Sequence, residues 1–229
     1  MIATKALKNG RRNGQASGGA STVAKKQKEP EVQRIHIVAP QMQQIEVVVE
    51  QLGDSTLIQH AFSEKAWKQM EQQQQGKTKV KARPPRNPKA DFENAKELTK
   101  DGEPGISAIR FKCGCVDVCR TVTSLPMTEA RRAIFVEGKV LPLKFKKCIM
   151  RTDIIRLPNG APDLRYRPEY HGWSVKLRIN FNSEVLSAED VVNLLSRAGQ
   201  FEGVCEWRPG KSNSGTHGMF KVTSVRNSN

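Results

Sequence analysis

From Trp173 to Val225 the hydrophobic period switches from strand-like to helix-like and back, and this switching constrains the fold more than any other feature of the chain. In "WSVKLRINFN", Val175, Leu177 and Ile179 alternate with Lys176, Arg178 and Asn180, which predicts a strand with one buried face. In "SAEDVVNLLSRAG", Val191, Leu194, Leu195 and Ala198 share one helical face. Ser187 is placed to cap that helix, Glu189 or Asp190 puts acid in its first turn, and Gly199 stops it. "FEGVCEW" and "GMFKVTSV" then read as strands.

Upstream the same reasoning gives strands at "RIHIVAP" and "QIEVVVEQL", a turn at "GDSTLIQH" and a helix over "FSEKAWKQMEQQQQ". Ser63 would cap this helix, with Ala66, Trp67 and Met70 on one face. "DFENAKEL" resumes a helical turn, and "GISAIRFKCGCVDVCRTV" predicts a helix capped by Ser107. "RAIFVEG" and "VLPLKFKKCIMRTDIIRL" read as strands, and "PNGAPDLRYRPEYHG" as a loop. The order predicts an α+β domain, an antiparallel sheet with helices packed on it.

Charge sets the partner class. Lysine and arginine exceed the acids by 15, which points to a polyanion, nucleic acid before an anionic membrane surface. No run of apolar residues is long enough to span a bilayer, so no membrane partner is expected. The N-terminal residues lack the apolar core of a secretory signal. Five scattered cysteines fit a reduced protein with free thiols better than a disulfide scaffold.

Residues 1–33 are expected to form a disordered basic tail, and 34–229 the folded domain. The tail carries Lys5, Lys8, Arg11, Arg12, Lys25, Lys26 and Lys28 against Glu29 alone, with too little apolar surface to offset the entropy of ordering. Inside the domain, 76–90 predicts a mobile basic loop. Lys77, Lys79, Lys81, Arg83, Arg86 and Lys89 stand there with three prolines and no acid, a composition suited to phosphate contact.

In "DLRYRPEYHGW", Arg165, Tyr166, Arg167, Tyr170 and Trp173 interleave charge and rings, as needed to neutralise a backbone and stack bases of a single strand. The alternative is a structural loop with Arg167 paired to Glu169 and the rings packed on the sheet. In "EWRPGKSNSGTHGMFKV", Gly210, Gly215 and Gly218 leave backbone amides approachable, with Arg208 and Lys211 beside them, so the loop can cradle phosphate. Cys113, Cys115 and Cys119 lack a second metal-binding pair and read as small residues packing a helix onto a sheet. His60, His171 and His217 fall in or beside predicted loops, where a general base for RNA cleavage could sit, yet no nucleophile, phosphate loop or carboxylate pair accompanies them. No metal and no cofactor is expected.

Taken together, "STLIQHAFSEKA", "SAIRFKCGCVDVC", "MRTDIIR", "LRYRPEYHGWSV", "SAEDVVNLLSRAG" and "EWRPGKSNSGTHGMFKV" resemble a group of small tailed-phage proteins, mostly of uncharacterised function, over about residues 42–225. More remotely, the layout resembles the RAMP superfamily, RNA-binding backbone proteins of CRISPR effector complexes. Leu57-Ile58, Ile106-Ser107-Ala108 with Phe111-Lys112, and the glycine-rich Gly210–Gly218 loop before the last strand carry that likeness. It implies a modified ferredoxin-like (RRM-type, RAMP-like) core, with residues 173–225 as one half.

The expectation is a non-catalytic, phage-encoded protein in the host cytoplasm that binds single-stranded RNA or DNA and assembles as a homo-oligomer along it. Lys112, Arg151, Arg165, Arg167, Arg208 and Lys211, with the basic loop, would neutralise phosphate. Tyr166, Tyr170 and Trp173 would stack. The alternatives are a virion or assembly protein with a basic arm, and a RAMP-like endoribonuclease.

Overall fold

A computed structural model describes residues 37–62, 64–76, 86–121, 124–157, 159–211 and 215–228. The elements run β1 (Met42–Gln51), β2 (Leu57–Ile58), α1 (Glu64–Gln74), α2 (Pro88–Asn94), β3 (Gly105–Ser107), α3 (Ile109–Val118) and α4 (Met127–Ala133). Then follow β4 (Ile134–Val136), β5 (Val140–Lys144), β6 (Lys147–Arg156), β7 (Pro162–His171), β8 (Ser174–Asn182), α5 (Ala188–Arg197) and β9 (Phe220–Ser228). The expected tail, the Ser63 cap and basic-loop residues Lys77, Lys79, Lys81 and Arg83 lie outside the described residues. Contacts divide the chain into Met1–Val38, of which residues 37 and 38 are described, and Ala39–Asn229, which holds every element.

The main sheet has the order β3-β5-β8-β1-β9, with β4 also on β8, and each of these pairings is antiparallel. Taken as β1, α3, β4/β5, β8, α5 and β9, the chain is a β-α-β-β-α-β unit. Its sheet places the fourth strand beside the first, then the third, then the second. That is the ferredoxin-like arrangement, modified by splitting the second strand into β4 and β5 and by adding β3 at the edge. The α+β class with antiparallel sheet therefore stands.

Strand alternation builds the core. Ile45, Val47 and Val49 of β1 face Ile179, Leu177 and Val175 of β8 in register, all buried. Phe111, Cys115 and Val118 of α3, with Val191, Leu194 and Leu195 of α5, cover that face. Phe220 joins the layers, its ring 5.5 Å from Phe111 and 6.3 Å from Trp173. The α5 cap is the one expected: Asp190 N–H donates to Ser187 Oγ, and Ser187 N–H to the Asp190 carboxylate.

Other expectations change. "RIHIVAP" leads into β1 without pairing over residues 37–40. Ser107 belongs to β3, and Ala108 precedes α3 without a side-chain cap. The first half of "RAIFVEG" ends α4, whose helix stops only where β-branched Ile134 finds a partner in Phe181. "FEGVCEW" is a π-helical turn, Ala198–Glu202, followed by irregular backbone in which Cys205 and Trp207 have positive φ. Backbone bonds to Ile58, His217 and Gly218 hold that segment, so apolar content there reflects burial and not a strand. The cysteines are free, and Cys115, Cys119 and Cys205 are buried as small packing residues.

The largest change is "PNGAPDLRYRPEYHG". Most of it is β7, ten residues paired antiparallel to β6, with β2 on its other edge. The turn holds Asn159-Gly160, with Gly160 at φ +81°, the dipeptide that marks a tight hairpin between alternating strands.

Candidate nucleic-acid interface

Strand geometry sorts the β6–β7 ribbon by face, because successive side chains point to opposite sides. Arg151 is opposite Arg167, Asp153 opposite Arg165, and Ile149 opposite Glu169 on one face. Met150–Pro168, Thr152–Tyr166 and Ile154–Leu164 form the other. The interleaved basic and aromatic residues of the sequence are thus separated: Arg165 and Arg167 on one side, Tyr166 on the other.

Segment 55–60 runs beside the charged face through β2, with Gln59 N–H donating to Pro168 O. The terminal loop closes the far side. Gly218 N–H donates to Thr56 O, Glu206 N–H to Ile58 O, and Ser55 Oγ to Thr216 O. Thr56 Oγ1 donates to Glu169 Oε1 at 2.7 Å and lies 2.9 Å from His217 Nδ1. Three elements distant in sequence therefore bring Arg151, Arg165, Arg167, Lys211, His60 and His217 together.

These cations are paired. Arg151 Nε meets Asp153 at 2.7 Å, and its Nη1 meets Glu169 at 3.5 Å. Arg165 meets Asp163 at 2.9 Å, Lys211 meets Glu206 at 2.7 Å, and Arg208 meets Glu202 at 3.4 Å. Arg167 pairs with Asp153 at 3.5 Å and not with Glu169. It is 4% exposed, and its Nε has no hydrogen-bond acceptor among the described residues. Burial pulls its guanidinium below the usual arginine range.

The two histidines report the balance of potential. His60 Nε2 lies 3.4 Å from Arg165 Nη1. Burial, then Arg167 and Arg165, push its imidazole below the ordinary histidine value, with Glu206 opposing. Burial and Arg151 do the same to His217. Burial works against ionisation of Glu206, yet the Lys211 hydrogen bond and charge hold its carboxyl below the usual range. Both rings are neutral at pH 7 and keep acceptor capacity beside cations.

Several expected roles need correction. Tyr170 and Trp173 are 0% and 1% exposed and belong to the core. Trp173 Nε1 donates to Ser55 O, and Tyr170 packs edge-on against Phe145. Neither ring can reach a base, because strand alternation and the need to bury large rings turn both inward. Half-buried Tyr166 keeps an accessible side. The glycines also serve the loop itself. A Cβ on Gly210 would strike the Glu202 carboxylate, one on Gly215 the Trp207 carbonyl, and one on Gly218, at φ +69°, the Val204 carbonyl. The chain's own backbone fills the space assigned to phosphate.

Lys112 is carried by α3 and lies over the Phe135 ring of β4, 4.3 Å from its centroid, and so is not part of the ribbon. Arg86 bonds Asp163 and Leu164 O near the hairpin tip, so the C-terminal end of the basic loop is docked there. Thr56, Asp153, Glu169 and Glu206 were not foreseen as site residues. Among the described residues no cluster of His, Cys, Asp and Glu is arranged to hold a metal ion.

No family model matches the chain, and no curated protein matches it. Among solved structures it is similar to a chain in the cryo-EM structure of the Type III-B Cmr-beta bound to cognate target RNA, at 9% identity and a TM-score of 0.49. The similarity covers 81% of this chain and 60% of that one, so this chain spans less than two thirds of its neighbour's length. The ferredoxin-like assignment rests on the strand order given above.

Proposed function

We infer that this protein binds single-stranded nucleic acid without cleaving it, through the charged face of the β6–β7 ribbon and the terminal loop. The observation that carries this reading is geometric: the β6–β7 pairing, segment 55–60 and the terminal loop bring Arg151, Arg165, Arg167 and Lys211 to one site, with His60 Nε2 3.4 Å from Arg165 Nη1. A partly buried cluster of cations, paired with acids at the site, on a chain with an excess of 15 positive charges suits a polyanion. The sequence adds Lys77, Lys79, Lys81 and Arg83 just before Arg86, which is anchored at the hairpin tip. No described helix is long and apolar enough to cross a membrane.

Homo-oligomers along one strand, a phage origin and a place in the host cytoplasm belong to the same proposal; the last two rest on the sequence resemblance. The test is fluorescence anisotropy with single-stranded RNA and DNA at several salt concentrations. A steep loss of affinity with salt, reduced in Arg165→Ala, is expected. Salt-independent binding, or assembly with no oligonucleotide affinity, would favour the virion-assembly alternative. One observation favours the endoribonuclease reading: His60 is a neutral base 3.4 Å from the Arg165 guanidinium. Cleavage products that vanish in His60→Ala would establish it.

A further inference from the structure

Next to the cation cluster lies a cavity of about 610 Å³ that the charged ribbon does not account for. Its walls are segment 60–62, the start of α3 and residues 203–205. Two large apolar side chains in that lining stand open to solvent, Phe62 at 61% and Ile109 at 56% exposed. At one concave site these offer faces for a flat ring. The polar residues of the lining are His60, Ser107, Arg208, and the pair formed by Arg110 and Glu97.

The electrostatics argue against phosphate in this cavity. Glu97 sits at the start of α3, where its Oε2 accepts the Ser107 N–H at 2.7 Å and its Oε1 accepts from Arg110. The Glu97 carboxylate would repel an anion there. Arg110 and Glu97 together are neutral and present both donors and acceptors. That combination suits the edge of a nucleobase, whose N–H groups meet carboxylate and whose ring nitrogen and carbonyl meet guanidinium. Arg110 Nε has no acceptor among the described residues. The volume lies within the range of small-molecule pockets and exceeds the need of one base.

His60 lines this cavity and also touches Arg165 of the cation cluster. A strand whose phosphates lie on the ribbon can therefore reach the cavity with a neighbouring base. We propose that the cavity between Phe62, Ile109 and the Arg110–Glu97 pair receives one unstacked purine base of the bound strand. The proposal rests on the strand-binding reading, and makes the interface position-specific where phosphate contacts alone are uniform along a strand.

The experiment uses the full chain and a single-stranded oligonucleotide carrying 2-aminopurine at successive positions. One position, or positions at a fixed interval, shows enhanced fluorescence on binding as the base leaves its stack. An abasic nucleotide at that position weakens binding to the unaltered protein by about fivefold or more, the weak end of base stacking, and abasic nucleotides elsewhere have less effect. Phe62→Ala and Ile109→Ala, both in exposed side chains, remove the enhancement and the abasic penalty together. Salt-dependent binding with the same response at every position sinks the pocket and leaves the strand-binding reading standing. No binding of any oligonucleotide sinks both.

Discussion

The Lys211–Glu206 pair offers a test with opposite signs in its two halves. Lys211 Nζ donates to both Glu206 oxygens at 2.7 Å, and Glu206 faces Arg167 and His60 as well. Glu206→Gln removes the acid while keeping the backbone bond from residue 206 to Ile58 O, and it frees Lys211 for phosphate. Binding to a single strand falls with salt by about 0.7 log units per log unit of salt for each phosphate contact. One added contact steepens the slope by about 0.7, and near 0.1 M salt raises affinity about fivefold. Lys211→Ala removes no phosphate contact from the parent but leaves the carboxylate unpaired beside the strand, so affinity falls by repulsion while the slope flattens by less than the value for one contact, about 0.7. The double variant returns close to the parent. Fluorescence anisotropy with one labelled oligonucleotide at four salt concentrations reads all three proteins. If Glu206→Gln binds no tighter and its slope is unchanged, the terminal loop does not lie on the phosphate path.

Gly218→Val places a branched side chain at φ +69° against the Val204 carbonyl, and should lower stability by about 2 kcal/mol or more in urea unfolding; a wild-type midpoint would refute the packing role of this glycine. Trp173→Ala should cost about 3–5 kcal/mol as a core deletion. Tyr166→Ala should leave the melting temperature nearly unchanged and weaken oligonucleotide binding, and unchanged affinity would take Tyr166 out of the interface. His60 and His217 lie below the ordinary histidine value in the free protein, and a bound phosphate raises them. Binding therefore takes up protons: affinity is flat above the ordinary histidine range and rises as pH falls from about 6.5 towards the lowered free values, by up to about tenfold per unit for each ring. Stability runs the other way, because the unfolded chain holds more protons in that window, and is lost as pH falls through it. A binding profile unchanged in the His60→Gln, His217→Gln double variant would show that neither ring is at the interface.

Local signals that need no distant partner were legible in the sequence. The β8 alternation and the Ser187 cap of α5 depend on near-neighbour geometry alone, and both formed where expected, whereas Gly199 does not stop the helix, which runs on as a π-helical turn to Glu202 and ends at Gly203. The β7 hairpin was legible too, in Asn159-Gly160 and the residues that flank it, but the charge and the proline of Arg165–Pro168 favoured a loop reading. Strand pairing with β6 and β2 satisfies the backbone there and overrides that local preference.

By itself the sequence determined the α+β class and the excess of positive charge, and it supplied the candidate cations. Only the tertiary structure decided which of those cations share a site and which acids restrain them. Glu169 reaches Arg151, and Asp153 reaches Arg167, across the β6–β7 pairing, and a linear charge count cannot see partners chosen by folding. Burial likewise drew Tyr170 and Trp173 into the core, because a large ring lowers the free energy more by leaving water than by staying open for a ligand. Gly215 and Gly218 of the terminal loop are set by packing too: the chain lies against its own carbonyls there, and only residues without a side chain leave room.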